Sequence, residues 1–368
     1  MKPFVFSCDA HINEPNDLYL NGLPQHLQPF ALHREIVEGK NKKLIILKMG
    51  ETELLRLELN FWNQSHKNGL RDLDGRFKDM ELDGVDAELV FANLALVAHR
   101  IPNAEAELAT ARLFNDWVCD FVKDHRHKLV PVAILPVHDL AAGLAEFQRV
   151  VAKGFTAVMI PVVPPAGVPQ YNDPAWEPIF AYAAAVEVPL VFHTGTGDVN
   201  IRAERGAGAA LFNYTRQMND SVDTITRLVG GGILDRNPKA KIMFAEHGAG
   251  WLLGLAERMD EVYDGHNFYI EPKLGRRPSQ IVRDQVVCSF QNDIGCLLTR
   301  KGVGINALVF ATDYPHHEGT FPHSRELVER MFDNVPDITE EEKAAVLGLN
   351  AARMFKLDVE KAKAQAAA

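Results

Sequence analysis

The stretch Phe4-Val-Phe-Ser-Cys-Asp-Ala-His-Ile-Asn-Glu-Pro15 sets the pattern from which the fold is read. A short apolar run, Phe4–Cys8, gives way abruptly to Asp9 and His11, with Glu14 and Pro15 close behind. Side chains on an extended chain alternate between faces, so polar groups two residues apart point the same way. A buried strand over residues 4–8 therefore delivers a carboxylate and an imidazole side by side above its carboxyl end, and Pro15 ends the pairing. Taken alone, the stretch fits a strand with a polar, turn-forming end just as well. Its weight comes from repetition: further apolar runs stop in the same manner at His193, at Glu246-His247 and at Asp313.

Eight such runs are present, at residues 4–8, 85–91, 129–135, 155–160, 189–192, 241–245, 285–290 and 307–311. Most are separated by helix-length segments, 71–82, 104–123, 139–153, 174–186, 220–230 and 250–264, and two more, 324–332 and 339–347, finish the chain. Asp139 and Thr339 are placed to cap their helices, and Gly84 and Gly154 to end theirs. Near-continuous apolar runs are what strands buried on both faces require. Eight of them alternating with helices predict an α/β chain of TIM-barrel type, a closed (β/α)8 barrel. The rival, an open doubly wound sheet, lacks a Gly-x-Gly-x-x-Gly after any strand. Residues 16–38 read as loop. Lys43–Leu47 and Leu54–Leu59, joined through Gly50-Glu51, read as a β-hairpin insertion after the first strand, spanning about 39–60. The whole of 1–368 reads as a single domain, ending in a flexible alanine-rich tail at 361–368.

Composition narrows the function. Hydrophobic residues make up 47% and charged residues 24%, enough for a large core, and the formal net charge is −10. That charge argues against nucleic acid or an anionic membrane as partner, because both demand a basic surface. A local arginine still permits an anionic small molecule. The four cysteines, Cys8, Cys119, Cys288 and Cys296, show no metal-site or disulfide spacing, and suit reduced thiols in a cytoplasmic protein. Met1-Lys-Pro-Phe runs directly into the first strand, without the pattern of a signal peptide, and no apolar run is long enough to span a bilayer.

In a barrel of this kind, reactive groups gather at the carboxyl ends of the strands. Those ends supply Asp9 and His11, Asn93, His193, Glu246 and His247, Asn292 and Asp293, and Asp313. Two histidines with one or two carboxylates and an open position make a catalytic site for zinc or a similar divalent ion. Such an ion lowers the pKa of bound water to about 7 or polarises a substrate oxygen. His247 is suited to general acid–base work beside it, and Asp313 both to ligation and to proton relay.

The ordered set Asp9-Ala-His-Ile-Asn-Glu-Pro15, Asp79-Met-Glu-Leu-Asp-Gly-Val-Asp86, Phe192-His-Thr-Gly195, Phe244-Ala-Glu-His-Gly248, Ala311-Thr-Asp-Tyr-Pro-His316 and Gly348-Leu-Asn-Ala-Ala-Arg-Met-Phe355 resembles the amidohydrolase superfamily. More narrowly it resembles the branch that includes aminocarboxymuconate semialdehyde and resorcylate-type decarboxylases, over nearly the whole chain. The resemblance implies one divalent metal, usually zinc and sometimes manganese, and a homodimer. It maps His11, His193 and Asp313 onto metal ligands and His247 onto the catalytic histidine. Asp9 departs from the decarboxylase prototype, which has histidine there, so Asp9, Glu14 or both complete the metal set. A carboxylate-rich site tolerates a harder ion such as manganese better than a histidine-rich one. Ile160-Pro161 stands where two-metal relatives carry a bridging lysine, which favours a single ion.

Trp62, His66 and Arg71 from the insertion, or Arg202 and Arg205, are candidates for an anion clamp over the mouth. Asn292 and Asp293 read as pocket wall or turn, and His316 and His317 as loop residues of which one lines the pocket. The remaining histidines read as surface or loop. The expected activity is decarboxylation of an aromatic or unsaturated carboxylic acid. Hydrolysis of an amide, lactone or carbon–carbon bond on the same centre is the alternative, and an inactive barrel without metal the third reading.

Overall fold

A computed structural model describes residues 3–38, 43–58, 68–198, 201 and 203–364, and in it each of the eight apolar runs is a strand. β1 (Phe6–Ile12) is buried along its whole length and runs past the expected stop, so Asp9 and His11 lie within the strand. A separate antiparallel sheet follows: β2 (Leu32–Glu38), β3 (Lys43–Met49) and β4 (Thr52–Glu58), in that order. The expected two-stranded hairpin is thus three-stranded, because part of the presumed loop at 16–38 pairs with β3 from Leu32 to Glu38. The same presumed loop also holds a helical turn, Leu18–Gly22.

The barrel continues with α1 (Leu73–Asp83), β5 (Ala87–Ala92), α2 (Ala104–Phe121), and a third strand broken at Val132 into β6 (Leu129–Pro131) and β7 (Ala133–Ile134). After it come α3 (Leu140–Ala152), β8 (Val158–Met159), α4 (Glu177–Val186), β9 (Leu190–His193), α5 (Gln217–Gly230) and β10 (Ile242–Ala245). α6 (Leu252–Gly265), β11 (Val286–Phe290), α7 (Ile294–Val303), β12 (Leu308–Phe310) and α8 (Ser324–Asp333) complete the cycle. All pairings among the barrel strands are parallel. The ring closes where the chain beyond β12 meets β1: Asp313 N donates to Asp9 O at 3.0 Å and His11 N to Tyr314 O at 2.6 Å. Closure therefore runs through the residues expected to bind metal.

The helix boundaries follow local chemistry. Asp139 caps α3 by accepting from Ala141 N and Ala142 N, and Thr339 forms a capping box with Glu342. Gly84 ends α1 at φ 83°, a left-handed position that glycine takes without strain. The last described residues form a short helix, Val359–Ala364, in which Ala362 is buried. No helix among the described residues is long and apolar enough to cross a membrane.

Candidate metal centre

β1 aims Asp9 and His11 into one space, and its register against β5 shifts between Ser7 and Ala10, where Asp9 stands. Bulges of this kind re-aim side chains near active sites. His193 closes β9, and its Nε2 lies 3.2 Å from Asp9 Oδ1. Its Nδ1 meets Thr194 O at 2.8 Å, a contact that turns Nε2 toward Asp9. Asp313 follows β12 with a left-handed φ of 52°. His11 Nε2 lies 3.4 Å from Asp9 Oδ1 and 3.5 Å from Asp313 Oδ1. A non-glycine residue in that conformation costs about 1–3 kcal/mol and tends to mark functional sites.

Asp9, His11, His193 and Asp313 thus converge, and all four are buried. Asp9 Oδ2, His11 Nε2 and Asp313 Oδ2 are buried without a hydrogen-bond partner. Buried polar atoms are ordinarily paired, and orphaned carboxylate and imidazole atoms facing one another are what a divalent cation satisfies. The donor set fits such an ion.

The electrostatics agree with crowding. Burial opposes a charge on His193, but the Asp9 carboxylate beside it prevails and raises the imidazole to about 9. Asp9 resists the pull of burial because His193 and His11 hold it well below the usual carboxylate range. Burial, with His316 and His193 nearby, lowers His11 to about 3. Asp313 is raised well above its ordinary value, by burial and then by Asp9.

The remaining expected residues separate. Glu14 is fully buried but does not join the cluster. Its Oε2 accepts from Asn93 N and Leu94 N, and its Oε1 from Ala95 N and the Tyr19 hydroxyl, at 2.9–3.3 Å. It ties down the turn after β5, so the expectation of Glu14 as ligand is corrected to a structural role. Asp293 caps α7 and also accepts from Ala249 N and Gly250 N, a turn residue rather than pocket wall, and Asn292 is exposed. His247 follows Glu246, outside every group able to hold a metal among the described residues. Its Nδ1 is buried without a partner, its ring is edge-on to Phe244, and burial with His193 nearby lowers it to about 3. Arg71 donates to Glu14 O at 2.9 Å, and Arg205 is exposed. Trp62, His66 and Arg202 lie outside the described residues.

Four participants escaped the sequence reading or were left undecided. His316 joins the cluster, its ring 4.2 Å from that of His11 and its Nδ1 2.7 Å from Asp313 Oδ1. Glu246 joins it from the other side, grouped with Asp9 and Asp313. Phe91 packs edge-on against His193 at 4.7 Å. Arg76, fully buried on α1, donates to His11 O at 2.8 Å and pairs with Glu88 at 2.5 Å, while its guanidinium lies over the Tyr314 ring. It thereby anchors the backbone of β1 at His11, beneath the cluster. One presumed surface histidine, His99, proves buried. The four cysteines are free.

Fold and site together define a metal-site barrel enzyme with its reactive groups at the carboxyl ends of the strands. The amidohydrolase family model matches residues 8–357, and the chain belongs to that family. It is 22% identical to the gamma-resorcylate decarboxylase of Polaromonas sp. strain JS666, across 81% of this chain and 91% of that protein. Among solved structures, an amidohydrolase of Mycobacterium avium subsp. paratuberculosis K-10 superposes with a TM-score of 0.77 at 17% identity, over 96% of this chain and 100% of that one. A dihydroxybenzoic acid decarboxylase of Polaromonas sp. JS666, solved with manganese and the inhibitor 2-nitroresorcinol, superposes with a TM-score of 0.69 at 17% identity, over 98% and 99%.

Proposed function

We propose that the protein is a metal-dependent decarboxylase of a small aromatic carboxylic acid, a hydroxybenzoate in the first instance. The observation that carries the reading is the convergence of buried Asp9, His11, His193 and Asp313, with donor atoms left unpaired, on one space. That the two Polaromonas relatives named above are decarboxylases supports the substrate class. Asp9, His11, His193 and Asp313 would hold the ion, zinc or manganese, and the manganese of the Polaromonas enzyme favours the latter. When bound, the ion supplies Lewis acidity toward substrate oxygens.

The protein's own groups account for the proton. Burial and Asp9 raise Asp313, which makes its carboxylate basic enough to take up the proton of an incoming substrate's carboxyl group. That proton passes to the ring carbon as the bond to the carboxyl carbon breaks, and carbon dioxide leaves without its electron pair. His247, neutral and with a bare Nδ1, accepts the proton of a substrate hydroxyl and returns it afterwards. Phe91 gives an aromatic ring an apolar wall, and burial of the cluster keeps bulk water from competing.

The free cysteines support a reducing, cytoplasmic setting, and the family resemblance supports a homodimer, which light scattering will test. Carbon dioxide release from a panel of hydroxybenzoates and muconate-type acids, on manganese- and zinc-loaded protein, tests the activity. Release from at least one is expected. None from any, together with turnover of lactones or amides, overturns decarboxylation in favour of hydrolysis.

A further inference from the structure

The metal centre, on which this inference rests, leaves Glu246 without a part. Glu246 stands between β10 and His247 with φ 66°, the left-handed region that a residue bearing a Cβ rarely enters. Two contacts hold it there. Its N donates to Ser289 Oγ at 3.0 Å, and the turn beyond is pinned by Asp293 Oδ2, which accepts from Ala249 N at 2.8 Å and Gly250 N at 2.7 Å. The amides of the turn ahead of α6 are therefore taken by Asp293, not by Glu246.

The strained backbone instead turns the carboxylate inward. One Glu246 oxygen lies within 4.8 Å of carboxylate oxygens of Asp9 and Asp313, and Oε2 lies 3.9 Å from His193 Nδ1. Three carboxylates gathered in a water-poor site cannot all carry charge without protons or a cation among them, and a divalent ion displaces those protons. We propose that Glu246 is a fifth protein ligand beside Asp9, His11, His193 and Asp313, and that it raises the affinity for Mn2+ relative to Zn2+. Five protein donors with an open position suit a six-coordinate ion, and three carboxylates suit a hard one. Zinc gains less, because it favours four ligands and nitrogen or sulfur donors.

The test is metal binding, not turnover. Chelated protein is titrated with Mn2+ while free ion is followed by electron paramagnetic resonance, then challenged with Zn2+, for wild type, Glu246→Gln and Glu246→Gly. The glycine variant guards against misfolding: glycine occupies φ 66° freely, so its metal-free melting temperature is expected to equal or exceed that of wild type. Both variants are expected to lose about tenfold or more in Mn2+ affinity with a smaller change for Zn2+, and to alter the spectrum of bound Mn2+. Wild-type Mn2+ affinity and spectrum in both variants overturn the assignment of Glu246 alone. A wild-type protein that takes up neither ion overturns the metal centre itself, and this inference with it.

Discussion

His247 and Glu14 show how differently two buried polar residues behave. His247 has a bare Nδ1 and is held neutral down to about pH 3, chiefly by burial, which is the state a proton acceptor needs. Replacing it with glutamine should lower kcat by about 10²–10⁴-fold, the usual contribution of a positioned acid–base group. Bound metal, counted by elemental analysis, should stay at the wild-type level. Metal lost together with activity would make His247 a ligand, and an unchanged kcat would remove it from the reaction. Glu14 looked equally reactive in the sequence, two residues beyond Ile12. What disposes of it is the row of amides at Asn93, Leu94 and Ala95, brought from about 80 positions away and invisible in a linear reading. Asp9, His11, His193 and Asp313 were legible for the opposite reason, since each ends or interrupts an apolar run. Glu246 and His316 were visible only as neighbours of better candidates. Their direction depends on backbone angles, such as φ 66° at Glu246, that no residue type announces.

At the level of elements, α1 reaches beneath the site through one side chain. Arg76 is fully buried, paired with Glu88 of β5 and bonded to His11 O, so helix, two strands and the candidate metal site are tied at one point. Burial keeps Glu88 above its ordinary carboxylate range despite the guanidinium, a sign that desolvation here rivals the attraction. Arg76→Met should therefore destabilise the protein by about 3–5 kcal/mol in urea unfolding, because it strands a buried carboxylate. Adding Glu88→Met should recover most of that loss. If the single variant unfolds like wild type, the pair is not holding the elements together. The sequence showed Arg76 only as one more charge on a polar helix, and burial of an arginine leaves no trace in periodicity. The eight barrel strands were legible because burial on both faces forces uninterrupted apolar runs. β2 was not, since it pairs in an exposed sheet where Ile36 and Val37 face solvent and only Leu32 is buried. A strand that buries one residue in seven carries little hydrophobic signature.

For the whole molecule, the barrel closes through the very residues that would hold the ion: Asp9 and Asp313 share a backbone hydrogen bond, as do His11 and Tyr314. Metal binding and global stability should therefore be linked. An ion at a hundred times its Kd adds about 2.7 kcal/mol to a fold that binds it and an unfolded chain that does not. The size of that gain should depend on pH in a definite direction. His193 is raised to about 9 in the metal-free fold against about 6.5 in an unfolded chain, so its proton stabilises the metal-free protein below pH 6.5. That contribution fades as pH rises through 9, the same proton that an ion must displace from His193. Metal-free protein should accordingly lose stability from pH 6.5 toward 9 while metal binding tightens over the same interval. The melting temperatures of chelator-treated and Mn2+-loaded protein should then draw apart as pH rises from 6.5 to 8.5. Calorimetry in buffers of different ionisation enthalpy should record proton release on Mn2+ binding at pH 7. A gap that narrows with rising pH, or uptake of Mn2+ without proton release, would place His193 outside the metal's reach.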